Sequence, residues 1–427
     1  MFFRNCPILR RVSASDPVSS LGLAVATILV AAKVGGHLAV RLKQPSVLGE
    51  LLAGIVLGAL PWPFFETLRN DPGVDMLARI GVLVLLFEVG LETTVRDVMR
   101  VGVASARVAL LGTVGTLAVG FGAASLAMPQ SGMLVRGFVA SAITATSIGI
   151  SARVLKDAGV SRTKEAHTIL SAAVLDDVLG LVVLAVISGL AVHAGGASAV
   201  TPGSVALLVG KTIGFLALAV VLGVKLSPLL FRMTARLRSE GALLATGLAF
   251  CFVFAWASDL IGLAPIVGAF TAGLVLEESH SARFVERGER SLSERMEPIS
   301  SLLVPLFFVL MGMRADFRAL GEPWALALLA ALTAAAIVGK LACALGAPRG
   351  SDRLAIAFGM VPRGEVSLVF ANLGLTMKVG GKPLLDAKQY SALVTVVVVT
   401  TLLTPVALRW RITSPPEGRA SMPSFHS

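Results

Sequence analysis

Charged residues are scarce in this sequence of 427 residues, where Lys, Arg, Asp and Glu together make up 15%. A typical soluble domain contains about 25% of them. Hydrophobic residues account for 55% of the chain, and the mean hydropathy is +0.84. Apolar runs of about 18 or more residues recur from one end to the other, and each can cross a hydrocarbon core of about 30 Å. The composition therefore excludes a large soluble domain and predicts an all-α polytopic membrane protein.

Aromatic residues are also few, at 6%, and no basic stripe is interleaved with them. We therefore expect no nucleic-acid partner in spite of the net charge of +11. Cys6, Cys251 and Cys343 lack the spacing of a metal site. Residues 1–16 lack a continuous apolar stretch, so we expect no cleaved signal peptide there. We also expect no cofactor.

About thirteen apolar segments have the length and composition of membrane spans. The second, eighth and ninth are short, which leaves re-entrant or tightly packed forms open. The approximate limits of the thirteen are 18–39, 46–61, 75–95, 102–127, 133–156, 166–192, 203–231, 242–258, 262–278, 297–313, 323–346, 353–376 and 388–408.

The basic residues between these segments predict the orientation of the chain. An odd number of spans places the two termini on opposite sides, and Lys and Arg concentrate in cytoplasmic loops. We therefore expect an extracytoplasmic N-terminal segment, residues 1–17, and a cytoplasmic, disordered tail, residues 411–427. The richer, cytoplasmic set is Arg41, Lys43, Arg96, Arg100, Arg153, Lys156, Arg162, Lys164, Arg232, Arg236, Arg238, Arg283, Arg287, Arg290, Arg295, Arg349, Arg353, Arg409, Arg411 and Arg419.

The chain also contains an internal repeat. Residues 45–57 resemble residues 265–276, and residues 86–92 resemble residues 308–314. These matches pair the second segment with the ninth and the third with the tenth, so each copy enters the membrane from the opposite side. An inverted-topology repeat is typical of secondary transporters, although chance similarity between apolar, Gly-rich helices is the alternative. The aligned glycines are Gly49 with Gly268 and Gly54 with Gly273.

The same offset pairs the fifth segment with the twelfth, and both are interrupted. The fifth contains the polar cluster Thr144, Thr146 and Ser147 at the middle of the membrane. In the twelfth, Pro362 removes a backbone donor and Gly364 weakens the helix. Two discontinuous helices at corresponding positions predict a crossing with a binding site between them.

Asp176 and Asp177 lie in the apolar sixth segment, about two turns from a polar residue on either side. A carboxylate at that depth costs at least ~2.5–3.5 kcal/mol, so the pair must be protonated, matched by a cation or exposed to water. Adjacent residues point about 100° apart on a helix, and one can face a partner helix while the other faces a cavity. Because a proton and a small cation compete for carboxylate oxygens, the pair predicts a proton-coupled cation site.

Three further charged residues lie inside apolar segments. Lys340 needs a carboxylate, for which Asp176 is the natural partner, or it snorkels toward the nearer surface. Arg363 and Glu365 lie at the break of the twelfth segment, where they are expected to interact with the dipole ends of half-helices. Thr146 and Ser147 offer the hard oxygen ligands that a small cation prefers.

Glu88 and Glu92 either guide cations or are ordinary helix-end carboxylates, and we favour the second interpretation.

At these residues the chain resembles the cation/proton antiporter-2 family of sodium/hydrogen exchangers, in particular its NapA type, with an NhaA-like fold. The resemblance covers residues 18–410. It rests on 45–58, 85–92, 144–149, Asp176, Asp177, 265–276, 305–316, Lys340 and 362–366.

The resemblance implies a homodimer in the inner (plasma) membrane. Its dimerisation part would be residues 18–95 and 242–313, its core part 102–192 and 323–408, and its linker helix 203–231. Asp177 would be the main cation ligand, beside Thr146 and Ser147, and Asp176 a proton carrier paired with Lys340. Transport would follow an elevator-like movement of the core, with two protons exchanged per sodium ion.

The sequence is compatible with more than one transport function. The first expectation is an electrogenic antiporter that exchanges Na⁺ or Li⁺ for H⁺, with monovalent cations, protons and membrane lipid as its partners and no enzymatic activity. A K⁺/H⁺ antiporter is the nearest alternative, because sequence does not reveal the radius of the site. A sodium-coupled symporter of an organic solute would need a larger cavity with side chains for that solute, and a channel would need a filter sequence, which we do not find.

Overall fold

The computed structural model describes residues 16–42, 44–92, 102–161, 163–194, 241–276, 292–315 and 322–413, together with scattered positions between 203 and 225. The first half contains α1 Pro17–Arg41, α2 Ser46–Ala59, α3 Pro63–Arg69, α4 Pro72–Glu92, α5 Val103–Ala127, α6 Met133–Ala142, α7 Ile148–Asp157 and α8 Lys164–Ala194. The second half contains α9 Ala242–Leu260, α10 Pro265–Val275, α11 Leu292–Arg314, α12 Pro323–Leu341, α13 Cys343–Gly346, α14 Arg353–Gly359, α15 Glu365–Thr376 and α16 Ala387–Thr413.

The long helices have the composition of membrane spans. Among the described residues, seven helical stretches are long and apolar enough to cross a bilayer: α1, α5, α8, α9, α11, α12 with α13, and α16. The shorter apolar helices α2, α6, α10 and α15 lie between them. Large apolar side chains point outward as well as inward, as Val30 and Leu126 do at 66% and 86% exposure. This distribution is expected of helices whose outer faces contact lipid tails rather than water.

The helices pack in two groups. The outer group, as we call it, consists of α1, α2, α4, α9, α10 and α11, with contacts between α10 and α4, α11 and α2, and α1 and α2. The inner group consists of α5 to α8 and α12 to α16, in which α5 packs on α12 and α8. Helices α11 and α16 contact each other across the boundary, and one apolar core cluster includes residues of both groups.

Glycines bring the helices of the outer group into backbone contact. A Cβ atom at Gly54 of α2 would collide with the backbone of Val309 on α11, and one at Gly312 of α11 would collide with the backbone of α2. At the matching positions of the repeat, a Cβ at Gly273 of α10 would collide with the backbone of α4, and one at Gly90 of α4 with that of α10. Equivalent residues of the two repeats therefore make equivalent contacts, each with a helix of the other repeat.

Both predicted helix breaks occur. Helix α6 ends at Ala142 and α7 begins at Ile148, while α14 ends at Gly359 and α15 begins at Glu365. The second break contains Pro362, whose missing N–H and fixed φ disfavour a continuous helix. Each pair of half-helices leaves backbone groups without helical partners inside the protein, and these need other partners.

The structure corrects several sequence-based boundaries. Helix α3 was not predicted, and neither was the short antiparallel pair β1 Lys378–Val379 with β2 Lys382–Pro383, so the described chain is not entirely α-helical. The last helix continues through Thr413, beyond the predicted start of the tail at residue 411. Arg411 forms an ion pair with Asp352, Nε to Oδ2 at 3.1 Å, which stabilises that last turn. Residues 1–15 and 414–427, and most of the predicted linker helix 203–231, lie outside the described residues.

Candidate functional site

The two helix breaks cross each other and are joined by hydrogen bonds. The Ser147 amide donates to the Pro362 carbonyl at 2.8 Å, and Thr146 Oγ1 donates to the Met360 carbonyl at 2.9 Å. One turn farther along, Ser151 Oγ donates to the Gly359 carbonyl at 2.5 Å. Hydroxyl and amide donors on one broken helix thus satisfy carbonyls that the other break leaves free.

Arg363 is completely buried and holds the crossing together. Its Nη1 donates to the carbonyls of Thr144 and Ala145, at 3.1 and 3.2 Å, and its Nη2 donates to the Ala336 carbonyl at 2.8 Å. The expectation that Arg363 interacts with a helix C-terminus is thus met on the opposite broken helix, just past the end of α6. The guanidinium charge compensates the negative end of that helix dipole.

Asp176 has hydrogen-bond donors on three sides. Lys340 Nζ lies 2.7 Å from its Oδ1 and 2.8 Å from its Oδ2. Thr113 Oγ1 of α5 donates to Oδ1 at 2.7 Å, and the Thr146 amide donates to Oδ2 at 3.0 Å. Asp176 is 1% exposed and Lys340 is 0% exposed, so Lys340 does not snorkel to the surface.

Asp177 is equally buried but lacks such partners. It is 4% exposed, and its Oδ1 atom accepts no hydrogen bond from the described residues. Its charged neighbours are Glu365, Asp176 and Lys340, two of them carboxylates. A buried carboxylate oxygen without a donor is costly. This atom is therefore suited to accept a ligand that is itself positively charged.

A cavity of about 290 Å³ lies between the outer and the inner group. Ser147, Arg363 and Glu365 line it at the helix crossing, and Glu88 and Glu92 of α4 line it from the outer group. Glu365 occupies the first turn of α15, where a negative charge is favoured by the helix dipole. Its Oε2 accepts one long hydrogen bond, at 3.4 Å, from Ser147 Oγ.

The fold thus brings together Asp176, Asp177, Lys340, Thr146 and Ser147 from three separate segments, namely α8, α12 and the break between α6 and α7. Thr144 has a different place, because its hydroxyl donates to the Ser141 carbonyl and only its own carbonyl reaches Arg363. Sequence reasoning missed Thr113, Ser151 and Thr401, the last of which donates to the Arg363 carbonyl at 2.7 Å. A hydroxyl at helical spacing in an apolar segment was the available signal, but many such hydroxyls bond only to their own helix.

Known proteins resemble this chain over almost its full length. The family described as sodium/hydrogen exchanger, transmembrane, matches residues 25–412. GerN of Bacillus cereus, named an Na(+)/H(+)-K(+) antiporter, is 34% identical over 395 residues, which cover 90% of this chain and 95% of GerN. The high-affinity Na(+)/H(+) antiporter NhaS3 of Synechocystis sp. is 32% identical over 91% of this chain and 88% of NhaS3.

The fold also matches a solved structure. The sodium proton antiporter MjNhaP1 of Methanocaldococcus jannaschii aligns with a TM-score of 0.64 over 91% of this chain and 97% of MjNhaP1, at 17% sequence identity. At that identity the likeness supports the fold alone. On the sequence matches, the chain belongs to the sodium/hydrogen exchanger family of membrane transporters and is a multi-pass protein of the plasma membrane.

Proposed function

We propose that this protein exchanges Na⁺ or Li⁺ for H⁺ across the membrane by alternating access, with Asp177 as the cation ligand. The observation that carries the proposal is the unpartnered Oδ1 of Asp177, buried beside carboxylates at the crossing of two broken helices. Bare carboxylate, hydroxyl and carbonyl oxygens are ligands for a hard cation. The same carboxylate binds a proton when the cation leaves, so that the two ions compete for one site.

Neighbouring oxygens complete the proposed cation site. Ser147 Oγ and Thr146 Oγ1 lie at the crossing, and each keeps lone pairs after donating its own hydrogen bond. We assign no cation-binding role to Thr144, Pro362 and Arg363. In this arrangement they shape the two breaks and satisfy backbone groups at the crossing.

The buried ion pair would carry a second proton. Protonation of Asp176 breaks its ion pair with Lys340, and Lys340 restores the pair when the proton leaves. One proton on Asp177 and one on the Asp176–Lys340 pair make two per cation, which would render exchange electrogenic. Support for this role comes from the short contacts of Lys340 Nζ with both Asp176 oxygens.

The larger movements are proposed on the basis of the helix groups. The inner group would be the moving core, the outer group the dimerisation part of a homodimer, and the chain would have thirteen spans with its N-terminus outside and its C-terminus inside. Tyr390 of α16 donates to the Met311 carbonyl of α11 at 2.8 Å, and Arg153 Nη1 donates to the Gln44 carbonyl at 3.3 Å. Both hydrogen bonds join the two groups, so an elevator-like movement would have to break them.

Transport by the purified protein in liposomes tests the proposal. With an imposed pH gradient, Na⁺ or Li⁺ is expected to drive proton movement in the wild type. Asp177→Asn, which removes the charge but keeps the shape, is expected to lower that flux at least ~100-fold, the factor that corresponds to about 2.7 kcal/mol of lost cation attraction. Asp259→Asn makes the same chemical change at an exposed position and is expected to leave the flux unchanged. Normal exchange by Asp177→Asn would refute the assigned site.

Potassium is the second candidate cation. The name of GerN includes K(+), and GerN is 34% identical to this chain. The same liposome assay with K⁺ in place of Na⁺ separates the candidates, because the preferred cation will give half-maximal flux at the lower concentration. Proton movement that required an added organic solute would instead favour a symporter.

A further inference from the structure

We propose that Glu365 forms an outer cation subsite with Ser147, through which the cation passes between the cavity and Asp177. The inference rests on the proposed function and assigns a further carboxylate to it. Glu365 thus acts on the cation before Asp177 does and sets the concentration at which the carrier fills.

The position of Glu365 at the inner wall of the cavity is the first argument. Glu365, Gly364 and Ser147 line the cavity, whereas Asp177 is not among its described lining residues and is 4% exposed. Glu365 is half-buried and is one of the charged neighbours of Asp177. A cation that enters from the cavity therefore meets the Glu365 carboxylate before it reaches Asp177.

Second, no full positive charge among the described residues is paired with the Glu365 carboxylate. Arg363, two residues earlier, uses its Nη atoms on three backbone carbonyls. The ion pairs among the described residues do not include Glu365, and the bond from Ser147 Oγ is long at 3.4 Å. The helix dipole at the start of α15 and Ser147 favour the carboxylate, but neither supplies a full positive charge.

Third, the charges at the crossing do not balance. The crossing contains three carboxylates, Asp176, Asp177 and Glu365, and two buried basic groups, Lys340 and Arg363, so that the ionised group carries one net negative charge. One monovalent cation neutralises it. The unpartnered Oδ1 of Asp177, nine-tenths buried and next to Glu365, indicates that this charge is meant for a ligand rather than for a protein donor.

The cavity has room for the ion to arrive with part of its water. A water molecule occupies about 30 Å³ of liquid, so a cavity of about 290 Å³ holds several. Its apolar walls, among them Leu51, Val89 and Phe308, offer no competing ligands. The Glu365 carboxylate therefore provides a fixed attraction for the ion at the inner wall of the cavity.

The test compares isosteric variants by their cation dependence. Glu365→Gln keeps the size of the side chain and an oxygen that can accept the Ser147 hydrogen bond, but removes the charge. We expect it to raise the Na⁺ concentration for half-maximal flux by about tenfold, equivalent to about 1.4 kcal/mol, with a maximal rate within about threefold of wild type. Glu365→Asp keeps the charge and is expected to stay near wild type.

Glu88→Gln is the matched control, because it removes a carboxylate from the same cavity that is not among the charged neighbours of Asp177. An equal effect of Glu88→Gln would show that only the general potential of the cavity matters and would overturn the subsite. An unchanged half-maximal concentration in Glu365→Gln would also overturn it, as would the loss of flux at saturating Na⁺ that is expected of Asp177→Asn.

A second readout does not depend on transport. Stabilisation by a bound ion grows with its concentration relative to its dissociation constant, so the Na⁺-dependent rise of the thermal midpoint reports binding. We expect Glu365→Gln to need about tenfold more Na⁺ than wild type for the same rise, while an identical Na⁺ dependence would contradict the subsite. If wild type bound Na⁺ but moved no protons, the proposed antiport would fail while the subsite remained measurable.

Discussion

Asp176 and Asp177 are neighbours in sequence, equally buried, and opposite in their surroundings. Asp176 accepts hydrogen bonds from Lys340, Thr113 and the Thr146 amide, whereas Oδ1 of Asp177 accepts none from the described residues. Because α8 turns about 100° per residue, one carboxylate points at α5 and α12 and the other does not. Two identical residues on one helix thus have different surroundings: Asp176 belongs to a buried ion pair, whereas Asp177 keeps the unpartnered oxygen that the proposed function assigns to the cation.

Thermal unfolding of two isosteric variants gives the sharpest contrast. Asp176→Asn leaves Lys340 buried without a counter-charge, and we expect a loss of about 3–5 kcal/mol in stability. Asp177→Asn removes an unpartnered buried charge, so its midpoint in Na⁺-free buffer should equal or exceed that of wild type. Equal losses in the two variants would show that both carboxylates are structural.

The double variant Asp176→Asn/Lys340→Met should recover part of the stability lost in Asp176→Asn, because it leaves no buried Lys without a counter-charge.

A smaller effect is expected at Thr113. Thr113→Val keeps the shape but removes one donor from Asp176 Oδ1, while Lys340 still binds that atom. We expect a loss of about 1–3 kcal/mol, the usual cost of leaving a buried charged group short of a hydrogen bond. Thr116→Val is the control one turn away on α5, since the Thr116 hydroxyl is buried without a partner. Equal thermal midpoints of the two variants would show that the hydrogen bond from Thr113 to Asp176 does not stabilise the protein.

The smallest effect concerns an exposed ion pair, which sharpens the contrast with the buried one. Lys388 Nζ lies 2.7 Å from Glu322 Oε2, and hydrogen bonds from Lys388 and Trp324 hold the pKa of Glu322 below its usual value. A carboxylate with a lowered folded-state pKa stabilises the protein above its unfolded pKa and loses that contribution as the pH falls through the folded value. Glu322→Gln should therefore lower the thermal midpoint slightly at neutral pH and not at all in strong acid. If Glu322→Gln lowered the thermal midpoint as much as Asp176→Asn, this would contradict the small contribution to stability that is expected of an exposed ion pair.

Much of the site was predictable because charge inside an apolar helix is expensive. That cost alone singles out Asp176, Asp177 and Lys340, and the need of a buried Lys for a carboxylate predicts the Asp176–Lys340 pair that the structure contains. The helix breaks were predictable from Pro362 and from the polar cluster around Thr146. Sequence left open whether Lys340 snorkels, because this depends on which face of α12 meets α8, and tertiary packing decides that.

Other features depend on contacts between distant segments. Nothing in the local sequence of Thr113 distinguishes it from hydroxyls that bond to their own helix, as Thr144 and Thr404 do at 2.7 and 2.8 Å. The sequence predicted that Arg363 interacts with the dipole end of a half-helix but not which one, and the guanidinium reaches the other broken helix. For Glu88 we favoured an ordinary helix-end role, and its place in the cavity wall is visible only once α4 is packed beside the crossing.

The glycine contacts of the outer group have a mechanical consequence. Where Gly54 meets α11 and Gly273 meets α4, backbone lies on backbone, with no side chains between them to change rotamer. Such joints resist sliding, because any shift drives main-chain atoms into one another. These contacts stiffen the outer group, and in the proposed elevator-like movement the displacement would occur at the boundary with the inner group, where the flexible side chain of Met311 lies against Tyr390. An added methyl group at Gly54 would therefore push α2 and α11 apart, although Gly54 itself contacts neither carboxylate of the ion site.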